Sequence, residues 1–345
     1  MQKILIREKN MVKIDLITGF LGSGKTTFIK EYAKYLLSKG EKICIIENDY
    51  GAVNIDMVLL QDLFGDNCNL EMIVGGDGQE AHRRRFRTKL ISMGMSGYDR
   101  VIIEPSGIYD VDEFFDVLYD EPLDRWYEIG NVISIVDSGT VTKLFDMSRY
   151  IFMSEIACAG KLVISKLVQG FYYDDKGIWS ECSGTSLNSS KTKELLKSIN
   201  TIMSDFNTGI SFTEKDIVAK PFLELTDRDF EEIENCGYRH ASYVKLPLSD
   251  REFTPLFYFD VEMSKEELME KTAKLFADEK AGHIIRIKGF VKTGENSQAE
   301  INATREKTQI NPVISSRNVL IIIGENLNRE YINEALKDYC SVVSL

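Results

Sequence analysis

The chain has 345 residues, of which 43% are apolar and 28% charged, and its formal net charge is −12. That length is typical of about two domains, and the composition is that of an ordinary globular protein. The negative charge argues against a general binder of nucleic acid or of membrane surfaces. No apolar run reaches the length of about eighteen residues that a membrane-spanning helix needs.

The cysteines are scattered along the chain without any Cys-x-x-Cys pair, and no signal-like apolar segment opens it. Both features predict a reducing, cytoplasmic location. Residues 1–10 form a short polar extension, to which we assign no function. The cysteines are Cys44, Cys68, Cys158, Cys182, Cys236 and Cys340.

The stretch "ITGFLGSGKTTF", from Ile17 to Phe28, contains the pattern Gly-x-x-x-x-Gly-Lys-Thr. A strand-like segment precedes it and a helical pattern follows it, so its glycines join a strand to a helix. Consecutive backbone N–H groups and a helix N-terminus then point at one anion, which is the geometry of a phosphate-binding loop. The predicted nucleotide-binding residues are Gly22, Ser23, Gly24, Lys25, Thr26 and Thr27.

Three polar residues of this region are predicted to bind the phosphates or the Mg²⁺ ion that accompanies them. Lys25 is expected to bridge the β- and γ-phosphates, and Thr26 to offer its hydroxyl to Mg²⁺. Glu104 ends the strand-like "VIIE" and stands where a Walker-B acid would hold Mg²⁺ directly or through water. The alternative that Glu104 is only a polar strand end stays open.

Two further positions complete the predicted catalytic and metal-binding set. Asp49, at another strand end, is expected to contact Mg²⁺ or the attacking water, and Gly107 lets the backbone approach a γ-phosphate. The predicted catalytic residues are therefore Lys25, Asp49 and Glu104, and the predicted metal ligands are Thr26, Asp49 and Glu104.

Apolar strands alternate with helical or loop segments along the first half of the chain, at residues 42–49, 99–107, 131–139 and 159–166. This rhythm predicts an α/β fold with a mostly parallel sheet, forming a P-loop nucleotide-binding domain over residues 11–215. Ligands of such sheets bind beyond the carboxyl ends of the strands, where Asp137 also falls, although Asp137 can equally cap a helix.

The last third of the chain predicts a second, small α+β domain over residues 240–345, after a linker at 216–239. Its strand-like segments are joined by two helical patterns, which are expected to cover one side of a sheet. Ser264 and Glu267 predict a capping box at the first helix, and Leu268, Met269, Leu275 and Phe276 supply its apolar face.

With "GFLGSGKTT", "IENDYGAVNID", "IVGGDGQEA", "VIIEPSG", "SIVDS" and "LVISK" in that order, the chain resembles the CobW-like GTPases, P-loop proteins related to the nickel chaperones of urease and hydrogenase. "RIKGFV" and "NVLIIIGENLNREYINEAL" are similar to that family's closing domain. The resemblance implies a switch driven by GTP, or by ATP, with Mg²⁺ as cofactor. It also implies that Lys166 binds the nucleotide and that the partner is a client metalloprotein or metallocofactor protein.

The metal motif of the family is absent. Its Cys-x-Cys-Cys follows a glycine pair, whereas Gly75-Gly76 is followed here by "DGQE". Carboxylate and amide oxygens suit harder ions than thiolates do, so Asp77, Glu80 and nearby His82 form at best a weak site. A tight turn leading into a helix is the alternative. Another departure is that the acidic residue many relatives carry in the second motif falls on Ala52.

The guanine-reading Asn-Lys-x-Asp of the family aligns with Ser165 to Val168, so the aspartate that pairs with the base is replaced by Val168. A carboxylate would accept two charge-assisted hydrogen bonds from guanine. The sequence therefore predicts weaker discrimination of GTP from ATP, unless Asp174 or Asp175 replaces the lost acid.

The run from Arg83 to Lys89 is the strongest basic cluster in this acidic chain. It is interpreted either as a solvated helix face or as a docking surface for an acidic partner or for phosphate groups. The acidic stretch from Asp110 to Asp124 is a candidate to meet it across a homodimer.

Two other functions use the same phosphate loop. A P-loop small-molecule kinase would need an acceptor pocket, and a nucleotide-dependent sensor would bind without hydrolysing. Phosphate release measured with and without candidate acceptors distinguishes both from the switch.

Overall fold

The structure is a computed structural model. It describes residues 11–49, 57–74, 79–106, 111–139, 141, 144, 146–167, 172–173, 179–180, 189–243, 255–294, 297–305, 308–313, 318–340 and 342–343. The chain divides into two compact units, Met1–Lys245 and Leu246–Leu345.

The first unit is built on a sheet of seven parallel strands in the order β3-β2-β4-β1-β5-β6-β9. A separate antiparallel pair, β7 with β8, lies outside this sheet. The strands are β1 (Val12–Thr18), β2 (Ile43–Asp49), β3 (Cys68–Val74), β4 (Arg100–Pro105), β5 (Tyr127–Asp137), β6 (Lys161–Ser165), β7 (Tyr172–Tyr173), β8 (Trp179–Ser180) and β9 (Ile217–Val218).

Helices connect the strands of this unit. They are α1 (Lys25–Ser38), α2 (Met57–Leu60), α3 (Gln79–Met95), α4 (Val111–Leu118), α5 (Asp146–Ala157), α6 (Ser189–Asp205) and α7 (Asp227–Glu234). A seven-stranded parallel sheet with helices between its strands confirms the predicted fold class for this part of the chain.

Helix α1 shows why the local sequence folds as it does. Phe28, Ile29, Tyr32, Ala33 and Leu36 recur at helical spacing and are all fully buried in the main core, against apolar residues of the sheet. Each large apolar side chain contributes roughly 1.5–3 kcal/mol on burial. This packing fixes the helix, and with it the loop that precedes it.

The segment 216–239, predicted as a linker, is part of the first unit instead. It supplies β9 to the sheet edge and α7 to the core, where Phe230 and Ile233 pack against α1 residues. A capping box of Thr226 and Asp229 starts α7. The prediction was wrong because the acidic composition of this stretch hides a short amphipathic helix, and a two-residue strand carries almost no periodic signal.

The second unit has a six-stranded antiparallel sheet in the order β13-β12-β11-β14-β10-β15. Its elements are β10 (Leu256–Phe259), α8 (Lys265–Ala277), β11 (His283–Gly294), β12 (Ser297–Ala303), β13 (Thr308–Val313), β14 (Val319–Glu325), α9 (Arg329–Leu336) and β15 (Val342–Val343). This is the predicted α+β arrangement.

Helix α8 begins as predicted. Ser264 and Glu267 form the capping box, with the Ser264 backbone N–H donating to Glu267 Oε2 at 2.8 Å. Leu268 and Leu275 are buried in the core of this unit. Met269, also predicted on the apolar face, is 51% exposed, because it lies one position away from the buried stripe. None of the described helices is long and apolar enough to cross a membrane.

Candidate functional site

The phosphate-loop sequence forms a tight turn between β1 and α1. Gly19, Gly22 and Gly24 have φ values of 140°, 74° and 101°, where residues with a side chain are strained. A Cβ atom added to Gly19 would lie only 2.4 Å from the carbonyl oxygen of Ile135. The glycines are therefore required for the chain to bring the N-terminus of α1 to this edge of the sheet.

Two residues at the start of α1 point into the site. Lys25 and Thr26 are both buried. The Nζ atom of Lys25 donates to the carbonyl oxygen of Gly19 at 2.8 Å, which folds the lysine back over the loop. The hydroxyl of Ser23 is also buried and has no hydrogen-bond partner among the described residues, while Thr27 is exposed.

Thr26 and Glu104, the two predicted Mg²⁺ ligands whose side chains the structure describes, are in contact. The Thr26 hydroxyl donates to Glu104 Oε1 at 2.8 Å, and both side chains are buried. Glu104 lies near the carboxyl end of β4, the strand next to β1 in the sheet. The loop and the predicted Walker-B acid are therefore placed in contact by the parallel sheet.

A second carboxylate, Glu47, lies beside Glu104 and was missed by sequence reasoning. Glu47 and Glu104 are paired positions on neighbouring parallel strands, so both side chains leave the same face of the sheet, and Glu47 is buried. The signal was available, since Glu47 follows Ile43 and Ile45 at a spacing of two on a strand that also carries the polar residues Asn48 and Asp49.

These oxygen donors fit a magnesium ion. One hydroxyl and two carboxylates at a buried edge are the hard ligands that Mg²⁺ prefers, and they suit soft metals poorly. The Asp49 backbone lies in β2, but its side chain is outside the described part of the chain, as is Gly107.

At the far end of the same edge, Lys166 and Asp137 form an ion pair. Lys166 follows β6 with a left-handed backbone, φ 54°, and its Nζ atom lies 2.5 Å from Asp137 Oδ2. The other carboxylate oxygen of Asp137 accepts the backbone N–H of Gly139 at 2.9 Å. The neighbouring Val168, Asp174 and Asp175 lie outside the described residues.

The predicted metal loop is described only in part, since Asp77 and the Gln79 side chain lie outside the described residues. Glu80 is exposed, whereas His82 is 1% exposed with Nδ1 3.8 Å from Glu113 Oε1. Within the described ranges, no three His, Cys, Asp or Glu side chains are grouped closely enough to hold a metal.

Cys68 is a buried thiol. It packs in the main core below α1, where burial raises its pKa to about 11. A protonated thiol in an apolar core is a poor metal ligand.

The basic run on α3 meets the acidic stretch within the same chain. An Nη atom of Arg83 lies 3.7 Å from Asp120 Oδ2, and the Arg87 guanidinium donates to the backbone carbonyl of Glu121. Arg84 is exposed. Contact between the two stretches therefore needs no second copy of the chain.

A buried ion-pair network lies away from the phosphate loop, near the amino ends of β2 and β4, and sequence reasoning did not predict it. The Arg100 guanidinium contacts Asp15 Oδ2 at 2.7 Å, Glu41 Oε2 at 2.9 Å and Glu234 Oε1 at 2.9 Å. Burial raises the pKa of the Asp15 carboxyl, although Arg100 opposes the shift. Through Arg100, this network connects β4 to β1, to the residues just before β2 and to α7.

Comparison with known families gives two matches on this chain. Residues 13–170 match the family described as CobW/HypB/UreG, nucleotide-binding domain, and residues 256–340 match the Cobalamin synthesis protein cobW C-terminal domain. The first match includes the P-loop, Glu47, Glu104 and Lys166. The second match includes every helix and strand described in the second unit except β15.

Two curated relatives share less than a third of their aligned residues with this chain. The chain is 30% identical over 157 residues to the zinc chaperone YeiR of Escherichia coli, covering 45% of this chain and 47% of that one. It is 27% identical over 168 residues to the zinc chaperone YjiA of the same organism, covering 46% and 50%. The chain thus matches about half the length of these curated relatives.

Among solved structures, the crystal structure of Zn(II)-bound YjiA GTPase from E. coli aligns over 96% of this chain and 100% of that chain. The sequence identity is 19% and the TM-score is 0.35.

Proposed function

The chain belongs to the CobW-like family of P-loop proteins, and on that premise we propose that it is a Mg²⁺-dependent switch that binds and hydrolyses a purine nucleoside triphosphate. The nucleotide is GTP, or GTP and ATP alike. The observation that supports this proposal is the hydrogen bond from Thr26 to Glu104 in the loop where Lys25 folds back onto the Gly19 carbonyl.

Each residue of the site has a proposed task. The N–H groups at Gly22 to Thr27 bind phosphate oxygens, and Lys25 exchanges the Gly19 carbonyl for the β- and γ-phosphates. Glu104, Glu47 and the Thr26 hydroxyl are the residues that would hold Mg²⁺, directly or through water. When bound, Mg²⁺ neutralises charge that develops on the phosphates. Asp49, Gly107 and Lys166 remain proposed members of the site.

The task that hydrolysis drives is proposed to be delivery of a metal or metallocofactor to a client protein. The names of the two curated relatives, both zinc chaperones, support this. The chain lacks the three thiolates of the family motif, so its cargo is not held by a Cys-x-Cys-Cys site. The second unit, which has no catalytic signature, is proposed to recognise the client, in a cytoplasmic setting.

Phosphate release in the presence of Mg²⁺ tests this function. We expect slow, acceptor-independent release from GTP, which is lost on chelation of Mg²⁺. Release that requires an added small-molecule acceptor would indicate a kinase, and tight nucleotide binding without release would indicate a sensor. The matched control is the Glu128→Gln variant, because Glu128 is an exposed carboxylate on β5 outside the proposed site.

A further inference from the structure

One segment of the first unit follows α1 from its first turn to its end. This segment, the α1 strap, consists of residues 222–234 and includes a short 3₁₀ turn, Phe222–Glu224, and helix α7. Phe222 contacts the first turn of α1, Phe230 its middle and Glu234 its end. Because α1 has 14 residues, the strap lies beside it over about 20 Å.

The near end of the strap packs against the last glycine of the phosphate loop. A Cβ atom added to Gly24 would lie 3.5 Å from Phe222 Cε2 and 3.9 Å from Ser165 Cβ. Gly24 is the N-cap of α1 with φ 101°, and as a glycine it has no side chain that could fix this conformation. The Phe222 ring also packs edge-to-face on Phe28, with 5.6 Å between the centroids. Phe222 therefore supports the residue at which the loop becomes a helix.

The rest of the strap is fixed to α1 by aromatic stacking and an ion pair. The Phe230 ring stacks on Tyr35 and Tyr32, with 5.1 Å and 6.3 Å between the centroids. Beyond it, Glu234 Oε2 accepts hydrogen bonds from Lys39 Nζ at 2.6 Å and from the Tyr35 hydroxyl at 3.1 Å. Stacked rings and charge-assisted hydrogen bonds are among the stronger contacts between side chains. The far end of the strap therefore stays with α1.

The 3₁₀ turn at the near end has fewer contacts. Leu223 is 86% exposed and Glu224 is exposed, whereas Phe222 packs against the main core and is itself half-buried. A turn held chiefly by one aromatic ring opens more readily than a helix packed along its length. Order at this end of the strap therefore depends on the contact between Phe222 and the phosphate loop.

From this arrangement we propose that Phe222 is a positioning residue for the phosphate loop, and that it couples phosphate binding to the order of the strap. The inference rests on the proposed function. A loop already held with its N–H groups converging loses less freedom when it binds phosphate. Because such coupling is reciprocal, bound phosphate also stabilises the strap. The response then reaches the segment that leads to the second unit, which begins at Leu246.

Calorimetric titration of the full chain with Mg²⁺ and three probes, ATP, GTP and tripolyphosphate, tests the positioning role. Phe222→Ala is expected to weaken all three alike by about tenfold, since the lost support affects the loop and not the base. Phe222→Met keeps an apolar side chain of similar length and is expected to stay within about threefold of the wild type.

Two control variants separate positioning from general stability. Leu223→Ala changes the exposed neighbour of Phe222 and is expected to bind all three probes like the wild type. Leu90→Ala truncates a fully buried side chain of α3, outside the loop and the strap. It is expected to lower the unfolding temperature at least as much as Phe222→Ala does, with wild-type affinity for the probes.

Hydrogen exchange of the strap amides gives a readout that a merely structural role does not move. In the wild type, saturating Mg²⁺–tripolyphosphate is expected to slow exchange in residues 225–234 by at least about threefold. In Phe222→Ala, at a concentration of probe that saturates the variant, exchange in the same residues is expected to be equal with and without the probe.

Other results overturn the proposal. Wild-type affinity in Phe222→Ala, or a wild-type strap whose exchange does not respond to a bound probe, contradicts the coupling and leaves the proposed function intact. A loss confined to the nucleotides contradicts it too, because the ring then acts on the base or ribose. An equal loss in Leu90→Ala would mean general destabilisation. The wild-type exchange response decides the matter even where Phe222→Ala does not fold. A folded wild type that binds none of the probes contradicts the coupling and the proposed function together.

Discussion

The hydroxyl of Thr26 donates a hydrogen bond of 2.8 Å to the carboxylate of Glu104, although 78 positions separate the two residues in sequence. A buried carboxylate is costly unless it is hydrogen-bonded or binds a cation. Glu47, the paired buried position on β2, adds a second carboxylate at the same place. The fold therefore places two buried carboxyl groups beside the phosphate loop, and carboxylate oxygens are ligands that Mg²⁺ prefers.

Replacing Glu104 by Gln is expected to separate nucleotide binding from turnover. The phosphate contacts of the loop remain, so nucleotide affinity should change by less than about threefold, while Mg²⁺-dependent phosphate release falls by at least about tenfold. Glu47→Gln should raise the Mg²⁺ concentration needed for half-maximal release. Phosphate release measured across a Mg²⁺ titration checks both expectations. Wild-type turnover in Glu104→Gln would contradict the proposed role of Glu104 in binding Mg²⁺.

The preference for GTP over ATP is expected to be within about tenfold. Gly22, Gly24, Lys25 and Thr26 are expected to contact only the phosphates, so they do not distinguish one base from another. At the position where the family motif has the aspartate that pairs with guanine, this chain has Val168. Competition titrations of the two nucleotides measure the preference. A preference above about a thousandfold, near 4 kcal/mol, would mean that another residue reads the base, and Asp174 and Asp175 would be the first to mutate.

Zinc, nickel and cobalt are expected to bind weakly at the loop from Asp77 to His82, with a Kd above about 1 μM. The soft ligands of the family motif are absent there, Glu80 is exposed, and His82 is buried beside Glu113. Equilibrium dialysis against each metal checks this. The contrary finding would be a stoichiometric, sub-micromolar site that disappears in Asp77→Ala, Glu80→Ala or His82→Ala.

Cys68 should react slowly with alkylating reagents while the protein is folded. Burial raises the pKa of this thiol to about 11, so at pH 8 its thiolate fraction is about 200-fold below that of an ordinary thiol of pKa about 8.5. Mass spectrometry of the Cys68 peptide after timed alkylation measures the rate, with urea-unfolded protein as the control. Equal rates in the folded and unfolded protein would contradict the burial.

Arg100→Met should destabilise the first unit by about 3–5 kcal/mol, because it leaves Asp15, Glu41 and Glu234 without their shared cation. The loss should be smaller at pH 5 than at pH 8. In the wild type, burial raises the folded-state pKa of Asp15 above its ordinary 3.8, so the folded protein binds that proton more tightly than the unfolded chain. The contribution of Asp15 to stability therefore falls as pH rises from about 3.8 through its raised folded-state pKa.

Removing Arg100 raises the folded-state pKa of Asp15 further, because Arg100 lowers it in the wild type. Protonation of Asp15 at low pH therefore restores more stability in the variant than in the wild type. Urea unfolding at both pH values measures the difference. Arg125→Met is the control, since the Arg125 side chain is 68% exposed, and it should change stability by less than about 1 kcal/mol. A pH-independent loss for Arg100→Met would contradict the account of this network.

Local patterns made the phosphate loop predictable, because its glycines, Lys25 and Thr26 are contiguous and the apolar strand that ends at Glu104 is easily recognised. Residues that function through tertiary neighbours were not predictable in this way. Glu47 gains its place from pairing with Glu104 on the neighbouring strand. The partners of Arg100 include Asp15 and Glu234, which are too far apart in the sequence for a local pattern to connect them.

The most direct test of the central claim, that Lys25 and its loop bind the triphosphate of a purine nucleotide, is calorimetric titration of Mg²⁺–GTP and Mg²⁺–ATP into Lys25→Ala. Lys34→Ala is the matched control, because Lys34 lies on the same helix but is exposed and pairs only with Glu31 among the described residues. We expect at least about a hundredfold loss of affinity for both nucleotides in Lys25→Ala, with unchanged thermal unfolding, and wild-type binding in Lys34→Ala. Wild-type affinity in a folded Lys25→Ala protein would contradict the claim.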